Sequence, residues 1–315
     1  MGYIMDLRRH VGHAPLMMPS AGVILVNARG EILMQRRADD GSWCCCGGAM
    51  ELGETFEACA VREVQEETGL VCRTLEPLTL VSGAAGHHVY PNDDEVYVSG
   101  AVFVCHDFEG TLTPQAEEVT ELRFFPPEAL PEPLSSLDSL SLRTYFQTQG
   151  LPFPDPYLRS AAVEDRAGLG ELYCAAWRAA YAGLIPDAYL AELTPEKCAP
   201  RAGRIEGLVV EAAGQVVGHI SYGPARGADA AGAAEIRALY VLPGEWRQGL
   251  GSRLFAAACA ALIRQGYKRV YLWVLRDNQS ARRFYEKQGM AETGERDFAL
   301  AGETLCEVRY EMNLG

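Results

Sequence analysis

Three glutamates, Glu63, Glu66 and Glu67, stand at i, i+3 and i+4 in a stretch that reads as helix from Phe56 onward. That spacing puts the three carboxylates on one helix face. Thr55 is placed to cap the start, and Gly69 to end the helix in a left-handed turn. Ala60, Val61 and Val64 point elsewhere and can pack the helix onto a core. Adjacent carboxylates repel and raise one another's pKa unless a cation sits among them. A donor set of carboxylates suits Mg²⁺ or Mn²⁺. The plainer reading is a solvated acidic helix face. It leaves unexplained the glycines at 48 and 69, Arg62 and the apolar positions, which fall into the same short pattern.

The 315 residues exceed one ordinary domain, and two of about 150 residues are the natural expectation. Charge divides the same way: residues 1–150 carry a net −13 with no lysine, residues 151–315 a net −1. The overall charge of −14 argues against a nucleic-acid backbone as partner. Prolines at 152, 154 and 156 mark a short extended spacer. The expected organisation is therefore a domain over 1–150, a linker over 151–157 and a second domain over 158–315. No run of 18 apolar residues is present, and Arg8, Arg9 and His10 interrupt the N-terminal stretch, so neither a membrane span nor a signal peptide is expected. Ten cysteines without CxxC pairs, three of them consecutive at 44–46, point to reduced thiols and a cytoplasmic setting.

Strands are expected over Ala21–Val26 and Glu31–Arg36, joined by a turn at Asn27–Gly30, then over Glu95–Cys105 and Leu122–Phe125, with a closing helix near 134–147. The acidic helix thus lies against a mixed sheet. The whole stretch from Gly48 to Leu70 resembles the Nudix box, G-x5-E-x7-R-E-U-x-E-E-x-G-U with U aliphatic, and fills every specified position. The resemblance implies an α/β/α sandwich and the attack of water on a phosphoanhydride of a nucleoside diphosphate-type small molecule. It implies Glu63, Glu66 and Glu67 as metal ligands, with a backbone carbonyl near Gly48 assisting, and Arg62 orienting a carboxylate such as Glu54. Glu118, in the segment Glu118–Phe125, matches the position of a further base or ligand outside the box. One departure is that Cys46 stands where such proteins carry proline in W-x-x-P-G-G, freeing the backbone ahead of the glycines. The cysteines themselves read as small buried hydrophobes. His87 and His88 are adjacent on an extended segment and so face opposite ways, which suits no shared metal.

The second half opens with a strand from Tyr157 and a helix over about 166–182, followed by a meander over 208–221 in which His219 reads as a core histidine. Residues 234–242 are expected as the longest strand. They run into a glycine-bearing loop that opens a helix, an anion site in which Gly249 and Gly251 permit close approach of a pyrophosphate. With the strand 269–275 and the segment Asn278–Gly289, this order resembles the GNAT family of acetyl-CoA-dependent N-acetyltransferases. That resemblance implies a GNAT fold, acetyl-CoA as co-substrate and an amine acceptor, either a small molecule or a peptide. The amides of Arg247, Gln248, Gly249, Leu250, Gly251 and Ser252 would hold the pyrophosphate. The backbone of Leu239, Tyr240 and Val241 would pair with pantetheine, and Asn278 would contact the cofactor arm. Tyr285 would protonate the leaving thiolate, and Glu235 would take the amine's proton through water. Trp246 departs from the Arg or Gln usual at the loop's first position.

The expected protein is a bifunctional α/β enzyme with mixed sheets. The alternative is a Nudix unit that only senses a nucleotide and regulates the acetyltransferase.

Overall fold

The structure, a computed structural model, describes residues 2–90, 92–115, 118–200, 205–226 and 232–315. It divides into two compact units, Met1–Glu164 and Asp165–Gly315. Among the described residues, no helix is long and apolar enough to cross a membrane.

The first unit begins with α1 (Tyr3–Val11), β1 (Leu16–Leu25), β2 (Ile32–Arg37), β3 (Trp43–Cys44) and β4 (Cys46–Ala49). Then come α2 (Phe56–Thr68), β5 (Leu70–Cys72), β6 (Glu76–Val81), β7 (His87–Val89) and β8 (Glu95–Cys105). It ends with β9 (Phe108–Gly110), β10 (Val119–Phe125), α3 (Ser136–Thr148) and β11 (Tyr157–Ser160). The main sheet has the order β4-β1-β8-β6, with β7 also on β8. In it β1 runs parallel to β8 and antiparallel to β4. A second, antiparallel sheet has the order β10-β2-β3.

β1 is buried on both faces because its alternate residues meet different helices. Ala21, Val23 and Leu25 pack with Cys59, Ala60 and Val64 of α2, while Ile24 packs with Leu142, Tyr145 and Phe146 of α3. The result is the α/β/α sandwich. The α2 ends follow the local signals: the Thr55 hydroxyl accepts from the Ala58 amide at 3.2 Å, and Gly69 takes φ +73°. Helix α1 was not expected. Its Arg8 is buried and donates to the carbonyls of Gly12, Ala14 and Glu95, which fastens the N-terminal segment to β8.

In the proline-bearing segment Leu151, Pro152, Asp155 and Pro156 are exposed, while Phe153 turns inward. Phe153 lies between Phe146 and Tyr157, and Leu134 exchanges backbone bonds with Leu158 and Ser160. The compact unit accordingly closes at Glu164, beyond the 150–157 boundary expected from composition.

The second unit holds α4 (Arg166–Ala180), α5 (Asp187–Ala191), α6 (Pro195–Cys198), β12 (Leu208–Ala212), β13 (Gln215–Pro224) and β14 (Ala233–Val241). It continues with α7 (Leu250–Arg264), β15 (Arg269–Leu275), α8 (Gln279–Lys287), β16 (Ala291–Leu300) and β17 (Glu303–Asn313). The strands run β12-β13-β14-β15-β17-β16. The longest is β17, not β14, because the β16–β17 hairpin extends across polar residues that carry little apolar pattern. Adjacent residues of β13 meet different helices: a Cβ on Gly218 would lie 3.1 Å from Leu254 of α7, and His219 bonds Tyr173 of α4. β14 and β15 are parallel and paired only at Ala233, Ala234 and Glu235. Beyond Glu235 the ladder between them ends, which leaves a wedge along the C-terminal half of β14.

Candidate functional site

In the first unit, the glycine pair of β4 and the acidic face of α2 meet at close quarters. Gly47 has φ +153°, and a Cβ there would lie 2.5 Å from the Ala21 carbonyl oxygen. At Gly48 a Cβ would lie 2.5 Å from the Glu63 carboxylate carbon. Glycine is therefore a steric requirement at Gly47, where the neighbours are backbone, whereas at Gly48 a side chain would displace the Glu63 carboxylate. Glu67, 6% exposed, accepts from the Gly47 amide and from Gln35 Nε2, both at 2.9 Å. Burial pushes its carboxyl up to about 8, and the charges of Glu63 and Glu118 add to the rise. The Glu63 carboxyl is also raised, first by burial and further by Glu66 and Glu118.

Arg62 clamps Glu54 through two bonds of 2.8 and 2.9 Å and reaches Glu63 at 2.7 Å and Glu66 at 3.1 Å. The guanidinium holds the Glu54 carboxyl down at about 2. Glu118 acts electrostatically on Glu63 and Glu67, whereas Glu121 pairs with Arg36 at 3.7 Å. The structure thus brings Glu63, Glu66, Glu67, Gly48, Arg62 and Glu118 into one neighbourhood.

The donor chemistry fits a hard divalent cation. Glu67 is buried and Glu63 half-buried, and burial together with the neighbouring carboxylates holds both toward their neutral forms, a condition that a cation relieves. Among the described residues, no three histidine, cysteine, aspartate or glutamate side chains already converge as a cation site, since Arg62 holds Glu63 and Glu66.

Beside the glycines lies a cavity of about 130 Å³, lined by Gln35, Arg37, Cys44–Gly48, Tyr90 and Asp138 among others. Asp138 Oδ1 accepts from the Cys45 amide at 3.1 Å, and burial pushes this carboxyl up to about 6. Arg37 is paired with Asp39 and Asp40 and lies 5.6 Å over the Tyr90 ring. A larger cleft of about 560 Å³ sits at the Asn27–Gly30 turn, near His106 and Gln149, and none of the six residues lines it. Cys44, Cys45 and Cys46 are buried thiols whose pKa burial raises well above the ordinary value. Trp43 is core, edge-on to Phe125 at 5.1 Å.

In the second unit, the loop after β14 takes φ +65° at Arg247 and +85° at Gly249, the residue before α7. Arg247, Gln248 and Gly249 are exposed. The amides of Leu250, Gly251 and Ser252 belong to the first helical turn, which has no intrahelical acceptors for them. Loop and helix start therefore form a concave run of N–H groups suited to an anion. Trp246, 42% exposed, donates its indole N–H to the Val241 carbonyl at 2.7 Å, so this oxygen is engaged by the loop itself. Leu239, Tyr240 and Val241 pair with β13 on one side and border the wedge on the other.

Asn278 is buried and caps α8, its Oδ1 accepting from the Ala281 amide at 3.1 Å. Its oxygen is thus committed to the helix start. Tyr285, 9% exposed, is packed by Phe255, Phe284 and Tyr310. Among the described residues nothing hydrogen-bonds its hydroxyl, and burial raises its pKa above the ordinary phenol value. Glu235 is buried, 8% exposed, and is not a surface carboxylate. Arg226 grips both its oxygens at 2.9 Å, and the carboxyl is lowered by that partner despite burial. His219 is a core histidine: Nδ1 faces the Tyr173 hydroxyl at 2.8 Å, Nε2 the Glu206 carbonyl at 3.0 Å, and burial holds it at about 4.

Sequence reasoning missed Asp138, Gln35 and Arg226. Asp138 meets Cys45 across 93 residues, and its one local signal is an acid in the first turn of a helix, which reads as dipole complement. Gln35 is an ordinary strand residue until the fold sets it against Glu67.

Comparison with known proteins agrees with this geometry. The NUDIX domain profile matches residues 16–145, and the acetyltransferase (GNAT) family profile matches residues 169–290. An uncharacterised N-acetyltransferase, YuaI of Bacillus subtilis, is 30% identical over 155 residues, 48% of this chain and 89% of that protein. A MutT-like protein of Streptomyces ambofaciens is 31% identical over 146 residues, 46% of this chain and 84% of that protein. An RNA pyrophosphohydrolase of Novosphingobium aromaticivorans is 35% identical over 81 residues, 25% of this chain, and the chain spans 48% of that protein. The chain therefore belongs to both families, to the Nudix hydrolases through its first unit and to the GNAT acetyltransferases through its second.

Proposed function

We propose that the first unit hydrolyses the phosphoanhydride of a nucleoside diphosphate-type substrate with Mg²⁺ or Mn²⁺, and that the second transfers acetyl from acetyl-CoA to an amine. The observation that carries the first half is the meeting of Glu63 and Glu67 with the Gly47–Gly48 pair. Glu63, Glu66 and Glu67 would hold the cation, with the Gly48 carbonyl assisting. The cation would supply charge neutralisation at the phosphate oxygens and lower the pKa of a bound water. Arg62 keeps α2 in register with Glu54 and spaces the acids. Glu118, whose charge reaches Glu63 and Glu67, is the base for the attacking water.

For the second unit, the amides from Arg247 to Ser252 would receive the pyrophosphate, and the open edge of β14 would receive the pantetheine arm. Asn278 supports that arm indirectly, by fixing the start of α8. Tyr285, protonated and unpartnered, is the acid for the departing thiolate. Both units belong to a domain organisation divided at about 164, and the amine and the diphosphate are small-molecule partners.

A second reading is that the first unit binds a nucleotide without hydrolysing it and regulates acetyl transfer. It is favoured by the Arg62 bonds to Glu63 and Glu66, which hold two of the three acids away from a shared ion. Incubating purified protein with nucleoside diphosphate derivatives, with Mg²⁺ or with EDTA, separates the two. Metal-dependent phosphate release supports hydrolysis. Absence of release, together with a nucleotide effect on acetyl transfer, supports the sensor.

A further inference from the structure

Neither reaction proposed above uses any of the ten cysteines. Four of them, Cys46, Cys59, Cys72 and Cys105, share the core between α2 and the main sheet. Two of these four meet. β5 pairs antiparallel with β9, which sets Cys72 opposite Phe108 and lets the Arg73 amide donate to the Asp107 carbonyl at 2.8 Å. β9 follows β8 after two residues, so this pairing brings Cys72 beside Cys105, the last residue of β8. The two thiols hydrogen-bond each other, and the Cys105 sulfur lies 3.3 Å from the Asp107 carbonyl oxygen. Among the described residues no three cysteine, histidine or carboxylate side chains converge on a cation, so the pair reads as a dithiol and not as part of a metal site.

The pair is buried but shallow. Cys72 is 7% exposed and Cys105 0%, whereas the residues that follow them, Arg73 and Thr74, His106 and Asp107, are exposed. A small oxidant has one layer of turn residues to pass, beside two strands of only three residues each. The two sulfurs also differ in character. The Cys72 thiol, with backbone groups at Asp107, Thr74 and Arg73, lowers the Cys105 pKa against the effect of burial. The same bond, with burial, raises that of Cys72. One sulfur therefore favours the thiolate, the form that attacks an oxidant, while its neighbour keeps its proton.

We propose that Cys72 and Cys105 form a redox-active dithiol, which a peroxide closes to a disulfide and a thiol reductant reopens. The Cys105 thiolate attacks one oxygen of hydrogen peroxide and the O–O bond breaks. The departing hydroxide takes up the proton that Cys105 had released and becomes water. The Cys72 sulfur then attacks the sulfenic acid: the S–S bond forms, the S–O bond breaks, and the Cys72 proton leaves with the hydroxide as a second water. Two electrons pass from the thiols to the peroxide. Gly69 ends α2 and Leu70 begins β5, so the link fastens the far end of the acidic helix to β8. It joins residues 33 apart and so constrains the unfolded chain, which makes the stability of the first unit depend on redox state.

The test treats the reduced full chain with hydrogen peroxide, blocks free thiols by alkylation, and maps the digest without reductant by mass spectrometry. The expected product is one peptide pair joined through Cys72 and Cys105, lighter than the free pair by two hydrogens and separated again by dithiothreitol. It forms ahead of any link between Cys174 and Cys198, a second thiol pair in contact, where burial and Cys174 raise the Cys198 pKa. Hydrogen exchange in urea reads the consequence: protection of β5 and β8 persists to about 1 M more urea in the oxidised than in the reduced protein. In Cys72→Ser, and in Cys72→Ala should serine disturb the core, peroxide leaves that protection unchanged. Absence of the Cys72–Cys105 peptide, whether other thiols are modified or all ten stay free, overturns the proposal. So does prior closure of Cys174–Cys198, or β5 protection that still rises with peroxide in both variants.

Discussion

The Glu67 carboxylate on α2 accepts a 2.9 Å hydrogen bond from the Gly47 amide on β4, so the acidic helix is tied to the strand that delivers the glycine pair. This bond sets the spacing of the whole first site, because Glu63 stands one helical turn earlier and comes to rest against Gly48. It also places a carboxylate where water is scarce.

Glu66→Gln should leave the fold intact and abolish phosphoanhydride hydrolysis. Glu66 is the most exposed of the trio, and its contact with Arg62 is one of several the guanidinium makes. Loss of one charged ligand should cost at least about a hundredfold in kcat, roughly 2.7 kcal/mol of transition-state stabilisation. Phosphate-release kinetics and a thermal melt check the two halves of the claim, and wild-type turnover in the variant would remove the trio from the mechanism.

Metal-free protein should lose stability between pH 7 and 8.5. The folded Glu67 carboxyl sits at about 8 against an ordinary 4.5, so from about pH 4.5 up to about pH 8 the native state holds a proton that the unfolded chain has released, and the last of it is lost over pH 7–8.5. Stability then falls as pH rises, by at most about 1.4 kcal/mol per unit from this group. Below pH 7 the half-buried His88 and the buried His219, both held at about 4, act with the opposite sign, and above it they are neutral in both states. Mg²⁺ binds the ionised form, so it should raise the urea midpoint more at pH 8.5 than at pH 7. Glu67→Gln should flatten both slopes. An unchanged midpoint across the window would mean that Glu67 is ionised throughout.

The acidic helix was legible because its signals are local: a cap at Thr55, acids at i, i+3 and i+4, and a glycine at the end. The strand Glu95–Cys105 was equally plain, as an apolar run between polar turns. What the sequence hid is long-range. Nothing near Asp138 announces Cys45, and nothing near Glu235 announces that Arg226 will close on it across a hairpin. The wedge after Glu235 is likewise invisible, since the residues of β14 read as an unbroken strand whether or not β15 continues beside them. The prolines announce chain stiffness, whereas the packing of Phe153 and Tyr157 in the α3-side core is long-range and leaves no local signal.

A first unit ending at Gly150 should be less stable than one ending at Glu164. The shorter fragment lacks Phe153 and Tyr157, which pack on Phe146, and the backbone pairing of Leu134 with Leu158 and Ser160. Burying each aromatic contributes about 1.5–3 kcal/mol, so a loss of several kcal/mol is expected. Denaturant melts of fragments 1–150 and 1–164 measure it, and equal midpoints would return the boundary to 150.

Gly249→Ala should weaken acetyl-CoA binding by about tenfold while barely changing the melting temperature. The residue holds φ +85° at the start of α7, where a Cβ meets no neighbour but the conformation itself is costly for an L side chain. The penalty is about 1–2 kcal/mol, and an exposed loop relieves it by relaxing out of the anion-binding shape. Calorimetry with acetyl-CoA on the full chain reads the effect, and undiminished affinity would place the pyrophosphate elsewhere.

Tyr285→Phe should slow acetyl transfer without loosening acetyl-CoA. The ring is fixed by Phe255, Phe284 and Tyr310, and phenylalanine preserves those contacts. No hydrogen bond within the described residues is lost with the hydroxyl, so the fold should keep its stability to within about 0.5 kcal/mol. Burial raises the phenol's pKa above its ordinary value, which keeps the proton in place at neutral pH and available to a thiolate as it departs. A positioned general acid contributes roughly 10²–10⁴ in rate, and its removal should lower kcat with little change in the KM for acetyl-CoA. Turnover of an amine panel by wild type and variant, with calorimetry on acetyl-CoA, separates that outcome from its rival. An unchanged kcat would make Tyr285 a packing residue and move the search for the acid to Tyr181, which follows α4 and acts electrostatically on Tyr285.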